Sequence, residues 1–169
     1  KKMENGVVRS RYATWAILKS RTDANAQIVV IATHFPVNPQ GVGGQGGVIG
    51  NRGTSYSEGM DNLVALINRL AAYGPVLTGG DFNNHPYQTQ PWAAVPHMTA
   101  AGYSYTASPT SGIDYVFYPN RVRVVSHSDM AAGPTSDHPF YNVTTLNMNG
   151  VGPSGDPGGL TMLSYNINH

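Results

Sequence analysis

Apolar positions alternate along two early stretches, YATWAILK (12–19) and QIVVIAT (27–33), which read as strands joined by the polar turn RTDANA. His34 stands just past the second of them. The next stretch, 35–54, has no apolar period and carries seven glycines in GVGGQGGVIGNRG, the mark of a surface loop. The period then changes. Met60, Leu63, Val64, Ile67, Leu70 and Ala71 recur at helical spacing and leave Asp61, Asn68 and Arg69 on the opposite side. Ser55-x-x-Glu58 resembles a capping box and sets the expected start of this helix, while Gly74 and Pro75 end it. PVLTG (75–79) has the length and polarity of a buried strand, and a small helix is expected within 90–100. IDYVFY (113–118), RVRVVSH (121–127) and FYNVTTLN (140–147) are three further expected strands. MNGVGPSGDPGG (148–159) is a turn-rich linker, and a last strand is expected over 160–169. Two strands, a helix, a strand and then several strands point to an α/β sandwich of mixed or antiparallel sheets.

Composition narrows the picture. A chain of 169 residues, 40% hydrophobic and with ten tyrosines, is long enough for one domain with a core and short for two. Only 11% of the residues are charged, against roughly 25% in an average soluble domain. The formal net charge of +1 lacks the basic footprint of a dedicated nucleic-acid binder. Cysteine is absent, so neither disulfides nor thiolate chemistry enters. No apolar run approaches the ~20 residues of a membrane-spanning helix. Few lysines beside many Asn, Thr, Tyr and Gly lead us to expect a secreted protein. GVGGQG (41–46) matches G-x-G-x-x-G by letter. That pattern cradles phosphates only directly between a strand and a helix. Here HFPVNPQ intervenes before it and eight residues follow before the expected helix, so the loop reading stands.

The polar residues at strand ends carry the chemistry. His34 follows IVVIAT, Asp81 and Asn83 follow PVLTGG, and Asp114 opens DYVFY. Asp137 and His138 precede FYNVTTLN, and Asn166 closes the final strand. A sheet can gather such loop-edge residues although they lie far apart in sequence. Carboxylate and amide oxygens suit a hard divalent cation, Mg²⁺ or Mn²⁺, and imidazoles can donate to a phosphate oxygen or move a proton. Each residue also has a purely structural reading. Asp81 in GDFN can make an Asx turn, Asp114 can be a partnered buried acid, and a histidine after a strand can serve packing alone.

The joint order of the motifs favours chemistry. THFP (33–36), GGDFNNHP (79–86), GIDYVFY (112–118) and TSDHPFY (135–141) stand in this order and spacing. From Tyr12 to Asn147 the chain thereby resembles the endonuclease/exonuclease/phosphatase family, which includes deoxyribonucleases, abasic-site endonucleases, neutral sphingomyelinases and inositol polyphosphate phosphatases. The resemblance implies a four-layer, deoxyribonuclease-like α/β sandwich with its active site at one edge of the paired sheets. It implies that Asp81 orients or deprotonates the attacking water with Asn83 beside it, and that Asp137 and Asn166 lie by the metal. By the same resemblance His138, oriented by Asp114, would contact the scissile phosphate, and His34 would donate to a phosphate oxygen. Arg11 and Trp15 match the strand before THF, where Trp15 reads as core.

Two family motifs are out of place or missing. The family opens on a strand ending Y-N-I/V, and this chain carries that pattern at its far end, in LSYNIN (163–168). The strand whose glutamate is the main metal ligand has no counterpart. Glu4 and Glu58 are the only glutamates, and neither stands in its context. The expected division is 1–147 as the main part of the domain, 148–159 as linker and 160–169 as the displaced first strand. A tandem protein cut after one unit, a truncated permuted chain and a circular permutation all fit this order. A complete sandwich needs roughly 200–250 residues, so a second polypeptide is expected to supply the missing segment. The function implied is a divalent-metal-dependent (Mg²⁺, or Mn²⁺/Ca²⁺) phosphodiester hydrolase, foremost a nuclease. A phospholipid or inositol phosphate hydrolase, and a non-catalytic binding domain lacking the glutamate, are the alternatives.

Overall fold

A computed structural model of the chain describes residues 2–4, 7–9, 11–21, 26–36, 50–91, 93–107, 112–131, 133–134, 138, 140–148 and 159–164. The strands are β1 (Lys2–Glu4), β2 (Val7–Arg9), β3 (Ala13–Lys19), β4 (Gln27–His34), β5 (Val76–Asp81), β6 (Tyr103–Ala107), β7 (Asp114–Pro119), β8 (Arg123–Ala131), β9 (Phe140–Asn147) and β10 (Gly159–Ser164). Among the described residues two helices, α1 (Gly50–Leu70) and α2 (Ala94–Ala100), and a 3₁₀ turn at Ala71–Tyr73 accompany them. β1 and β2 form a small antiparallel pair. A mixed sheet runs in the order β3-β4-β5-β7-β6, and an antiparallel sheet in the order β10-β9-β8.

β5 is buried along its whole length because it lies between two layers, which explains why its sequence is a continuous apolar and small-residue run rather than an alternation. On one side of the mixed sheet, Val29, Ile31, Val76, Tyr115 and Phe117 pack with Tyr56, Met60, Leu63 and Ile67 of α1 and Met98 of α2. On the other side, Ile28, Leu77, Val116 and Tyr118 meet Leu146 and Met148 at the β9 end of the antiparallel sheet. The described residues therefore fill three of the expected layers: helices, mixed sheet and antiparallel sheet. Between the sheets a short polar seam is internally satisfied. Thr144 donates to Asn142 at 2.7 Å, and the hydroxyls of Thr106 and Thr144 lie 2.5 Å apart. Asn142 is fully buried there, so the letters Asn-Val-Thr over 142–144, which match a glycosylation acceptor pattern, present no surface acceptor.

Several boundaries differ from the sequence expectations. α1 starts at Gly50, so Ser55 and Glu58 lie inside the helix and do not cap it. The apolar stripe begins with Tyr56, four residues before Met60 and equally buried, and a helix already in register at Tyr56 needs an earlier start. GVGGQG lies outside the described residues. β8 begins at Arg123 because Asn120 and Arg121 turn the chain, with the Val122 N–H donating to Pro119 at 2.8 Å. It continues to Ala131 by pairing with Phe140. Tyr103–Ala107, which the pattern does not single out, forms the edge strand β6. β10 pairs antiparallel with β9, Gly159 level with Asn147 and Ser164 with Asn142. Residues 165–169, and with them Asn166, lie outside the described residues.

Trp15 is not core. Its strand, β3, is the other edge of the mixed sheet, and the ring is 45% exposed although it stands level with fully buried Ile31. An edge strand has a neighbour on one side only, so an apolar residue beyond the reach of α1 stays in water. Among the described residues no helix is long and apolar enough to cross a membrane.

Candidate active site

Strand register assembles the site. β4 and β5 are parallel and end level, His34 beside Asp81, while β5 and β7 are antiparallel with Asp81 beside Asp114. Three chemistry-bearing residues thus reach one sheet edge on adjacent strands. Gly80 permits the closeness of β4 and β5 at this point. A Cβ there would stand 1.9 Å from the Thr33 carbonyl oxygen, and its φ of +150° suits glycine. His138 arrives from the segment before β9.

The side chains converge on one carboxylate oxygen. Oδ2 of Asp81 lies 3.4 Å from Nε2 of His34 and 3.5 Å from Nε2 of His138. The other ring nitrogen of His138, Nδ1, lies 2.6 Å from Oδ2 of Asp114. An ionised carboxylate only accepts, so this contact assigns the proton to Nδ1 and leaves Nε2 as the atom that exchanges a proton. Asp81 and Asp114 are 3% and 1% exposed, His138 is mostly buried, and His34 is the most open of the four. Burial and the charge of Asp114 push the Asp81 carboxyl up to about 7, against the opposing pull of the Asn83 N–H, His138 and Arg11.

The structural readings of these residues hold together with the chemical one. Oδ1 of Asp81 accepts the Asn83 N–H at 2.8 Å, an Asx turn, so one oxygen shapes the loop while the other faces the imidazoles. Asp114 is a buried acid with a partner, and the partner is His138. Asn83 takes φ +49°, and its side-chain amide donates to the Phe35 carbonyl at 2.9 Å, which ties the loop after β5 to the end of β4.

A layer of residues that the motif reading passed over holds this loop from below. The Tyr56 hydroxyl donates to the Phe82 carbonyl at 2.7 Å, and the Tyr115 hydroxyl to the Asn84 carbonyl at 2.5 Å. Burial raises both phenols above their ordinary range, so both stay protonated donors. Fully buried Asn84 accepts the Ala94 N–H at the start of α2 at 2.8 Å and bonds through Nδ2 to Gln88. Phe82 stacks on Phe35 at 5.1 Å and meets Tyr115 and Phe117 edge-on. The second asparagine of GDFNN was the available signal for Asn84. Arg11, already matched to the strand before THF, adds a cation whose field reaches Asp81.

Asp81, Asp114 and His138 each offer a ligand atom within 4.8 Å of the others. The donor set fits a hard cation. Two buried carboxylates sit side by side, and a cation at Asp81 would restore the charged form that burial and Asp114 disfavour. Oδ2 of Asp114 is committed to His138, so Asp81 is the better ligand. Asp137 and Asn166, expected by the metal, lie outside the described residues. Among the described residues, His97 also pairs with an acid, Asp61, and meets the Pro91 carbonyl near the outer helices, in no such cluster.

Among solved structures the chain is similar to the human Nocturnin catalytic domain, determined with a bound sulfate anion, at 16% identity and a TM-score of 0.52. The match covers 80% of this chain and 51% of that one. An endonuclease/exonuclease/phosphatase from Beutenbergia cavernae is similar at 14% identity and a TM-score of 0.47, over 85% of this chain and 50% of that one. The chain thus spans about half the length of these solved structures. No protein-family model matches it, and no curated protein matches it.

Proposed function

We propose that this chain, whose fold is that of the endonuclease/exonuclease/phosphatase proteins, carries the imidazole–carboxylate part of a divalent-metal-dependent phosphodiester hydrolase acting on nucleic acid. The observation that carries the reading is the convergence of His34 and His138 on Oδ2 of Asp81, with His138 held in turn by buried Asp114. A structural histidine does not require two acids. The sulfate anion in the Nocturnin catalytic domain, a tetrahedral oxyanion like a phosphate, supports a phosphate-ester substrate and does not choose among such esters.

Each residue then has a task. Asp81 orients the attacking water and accepts its proton as the water oxygen bonds to phosphorus, while the ester P–O bond opposite breaks and the leaving oxygen takes a proton from solvent. Asp114 fixes the His138 tautomer, so that Nε2 of His138 meets the phosphate. Half-buried His34 donates to a non-bridging oxygen, and Asn83 lines the same edge. Asp81, with Asp137 and Asn166, would hold Mg²⁺ (or Mn²⁺/Ca²⁺), whose charge lowers the cost of the phosphorane-like transition state. A second polypeptide supplying the family's glutamate is part of the proposal. Trp15 and Leu18 leave apolar surface on edge strand β3, where further structure would cover it. The weakly charged, Asn- and Gly-rich composition supports a secreted protein.

Plasmid nicking with and without Mg²⁺, beside Asp81→Asn and His138→Ala, tests the reading. Metal-dependent nicking abolished by either substitution is expected. Hydrolysis of phospholipid or inositol phosphate without nicking would replace the substrate class. Absence of any ester hydrolysis, also with the missing segment supplied, would leave a binding domain.

A further inference from the structure

The loop that follows Asp81 ends in a feature the hydrolytic cluster does not use. Tyr87 is 75% exposed, yet its ring is not a loose surface side chain. It lies parallel to the ring of His85, with centroids 5.0 Å apart and planes 10° apart. Pro86 between them restricts the backbone on both sides. The turn beneath is closed three times: the His85 N–H donates to Gln88 Oε1 at 2.7 Å, the Gln88 N–H donates to the His85 carbonyl at 3.0 Å, and Asn84 bonds to Gln88 by its side chain. Tyr115 and the start of α2 then anchor Asn84 to the core.

The stacked pair also stands beside the hydrolytic cluster. A Cβ on Gly112 would lie 3.1 Å from Nδ1 of His85, and Gly112, at φ +63°, keeps that space open. Asp114 follows two residues later, a chain span of at most about 7 Å. The Phe82 N–H donates to the Ile113 carbonyl at 2.8 Å and locks the two loops together. His85, on the loop that follows Asp81, therefore lies against the loop that leads to Asp114, with Tyr87 layered on it.

We propose that His85 and Tyr87 form a prebuilt stacking platform for a nucleobase of the substrate, next to the scissile phosphate. The proposal rests on the nucleic-acid reading of the site and deepens it. The chemistry needed is a flat π-face held in one orientation, with little side-chain entropy left to lose, and this pair supplies it. Stacking on aromatic rings tolerates any base, which suits a protein whose net charge of +1 provides no broad electrostatic grip. Insertion into a lipid surface would instead favour several apolar tips, whereas the loop reads His-Pro-Tyr-Gln-Thr-Gln over 85–90.

The test measures binding of the whole chain, in EDTA, to a fluorescein-labelled thymidine octamer and to an abasic octamer of the same length. The wild type should prefer the thymidine strand. Tyr87→Ala should weaken that strand roughly fivefold or more and leave the abasic strand unchanged. Tyr87→Trp should retain the preference, with its indole fluorescence quenched by the thymidine strand only. Equal affinity of the wild type for both strands, equal loss on both in Tyr87→Ala, or loss of sphingomyelin-vesicle binding in its place overturns the proposal. Turnover of bis(p-nitrophenyl) phosphate by wild type and His138→Ala is measured alongside. Turnover without base preference ends the platform and spares the hydrolase; base preference without turnover does the reverse.

Discussion

Nδ1 of His138 lies 2.6 Å from Oδ2 of Asp114, a carboxylate that is 1% exposed. The two residues are 24 apart in sequence and come together because β7 begins at Asp114 on the edge where the segment before β9 arrives. A buried acid that donates nothing and a ring nitrogen that carries a proton make a fixed dyad. The fixed element is the ring's tautomer, and that leaves Nε2, 3.5 Å from Oδ2 of Asp81, as the atom able to exchange a proton.

Asp114→Asn keeps the shape of the dyad and reverses its logic. The amide can present N–H to Nδ1, which moves the ring proton to Nε2 and turns the exchanging atom into the wrong partner. We expect kcat for bis(p-nitrophenyl) phosphate to fall by about 10³–10⁴, with KM and the far-ultraviolet circular dichroism close to wild type. A loss below about tenfold would reduce Asp114 to a packing residue.

Asp81 yields a pH prediction with a definite sign. Its carboxyl rises from 3.8 to about 7 on folding, through burial and the charge of Asp114, so the folded chain holds this proton better than the unfolded chain does. The contribution to stability is full below pH 3.8 and is lost as pH rises through about 7. Asp81→Asn removes the titration and keeps an acceptor for the Asn83 N–H. In EDTA the variant should therefore be more stable than wild type at pH 8, by roughly 2–4 kcal/mol, and nearly equal to it at pH 4. Thermal melts at both pH values measure this. Mg²⁺ should raise the wild-type Tm and leave the variant's unchanged.

His34, Asp81 and Asp114 show what the amino-acid pattern makes visible. THFP, GDFN and IDYVF announce themselves because each polar residue closes or opens an apolar run, and strand register then brings His34, Asp81 and Asp114 level. The supports beneath them carry no such mark. Tyr56 and Tyr115 act through hydroxyls on carbonyls 26 and 31 residues away, and a tyrosine in an apolar stripe looks the same whether its hydroxyl is used or not. Trp15 misleads for a related reason. Its apolar alternation is that of a buried strand, and only the position of β3 at the sheet edge exposes it.

Gly80 connects this backbone register to the chemistry and separates two explanations of why it is glycine. Were GG at 79–80 merely turn composition, alanine would be tolerated with a modest effect. In the structure a Cβ at Gly80 falls 1.9 Å from the Thr33 carbonyl oxygen, on a backbone that neither strand can surrender without moving His34 away from Asp81. Gly80→Ala should cost roughly 3–5 kcal/mol, read as a lower urea midpoint, and whatever folded protein remains should have lost its turnover. Gly133→Ala is the control, because a Cβ there meets nothing within 4 Å, and its stability should stay within about 0.5 kcal/mol of wild type. If both variants behave alike, β4 and β5 can separate at their ends. The level placement of His34 and Asp81 would then be a loose association rather than a consequence of the sheet.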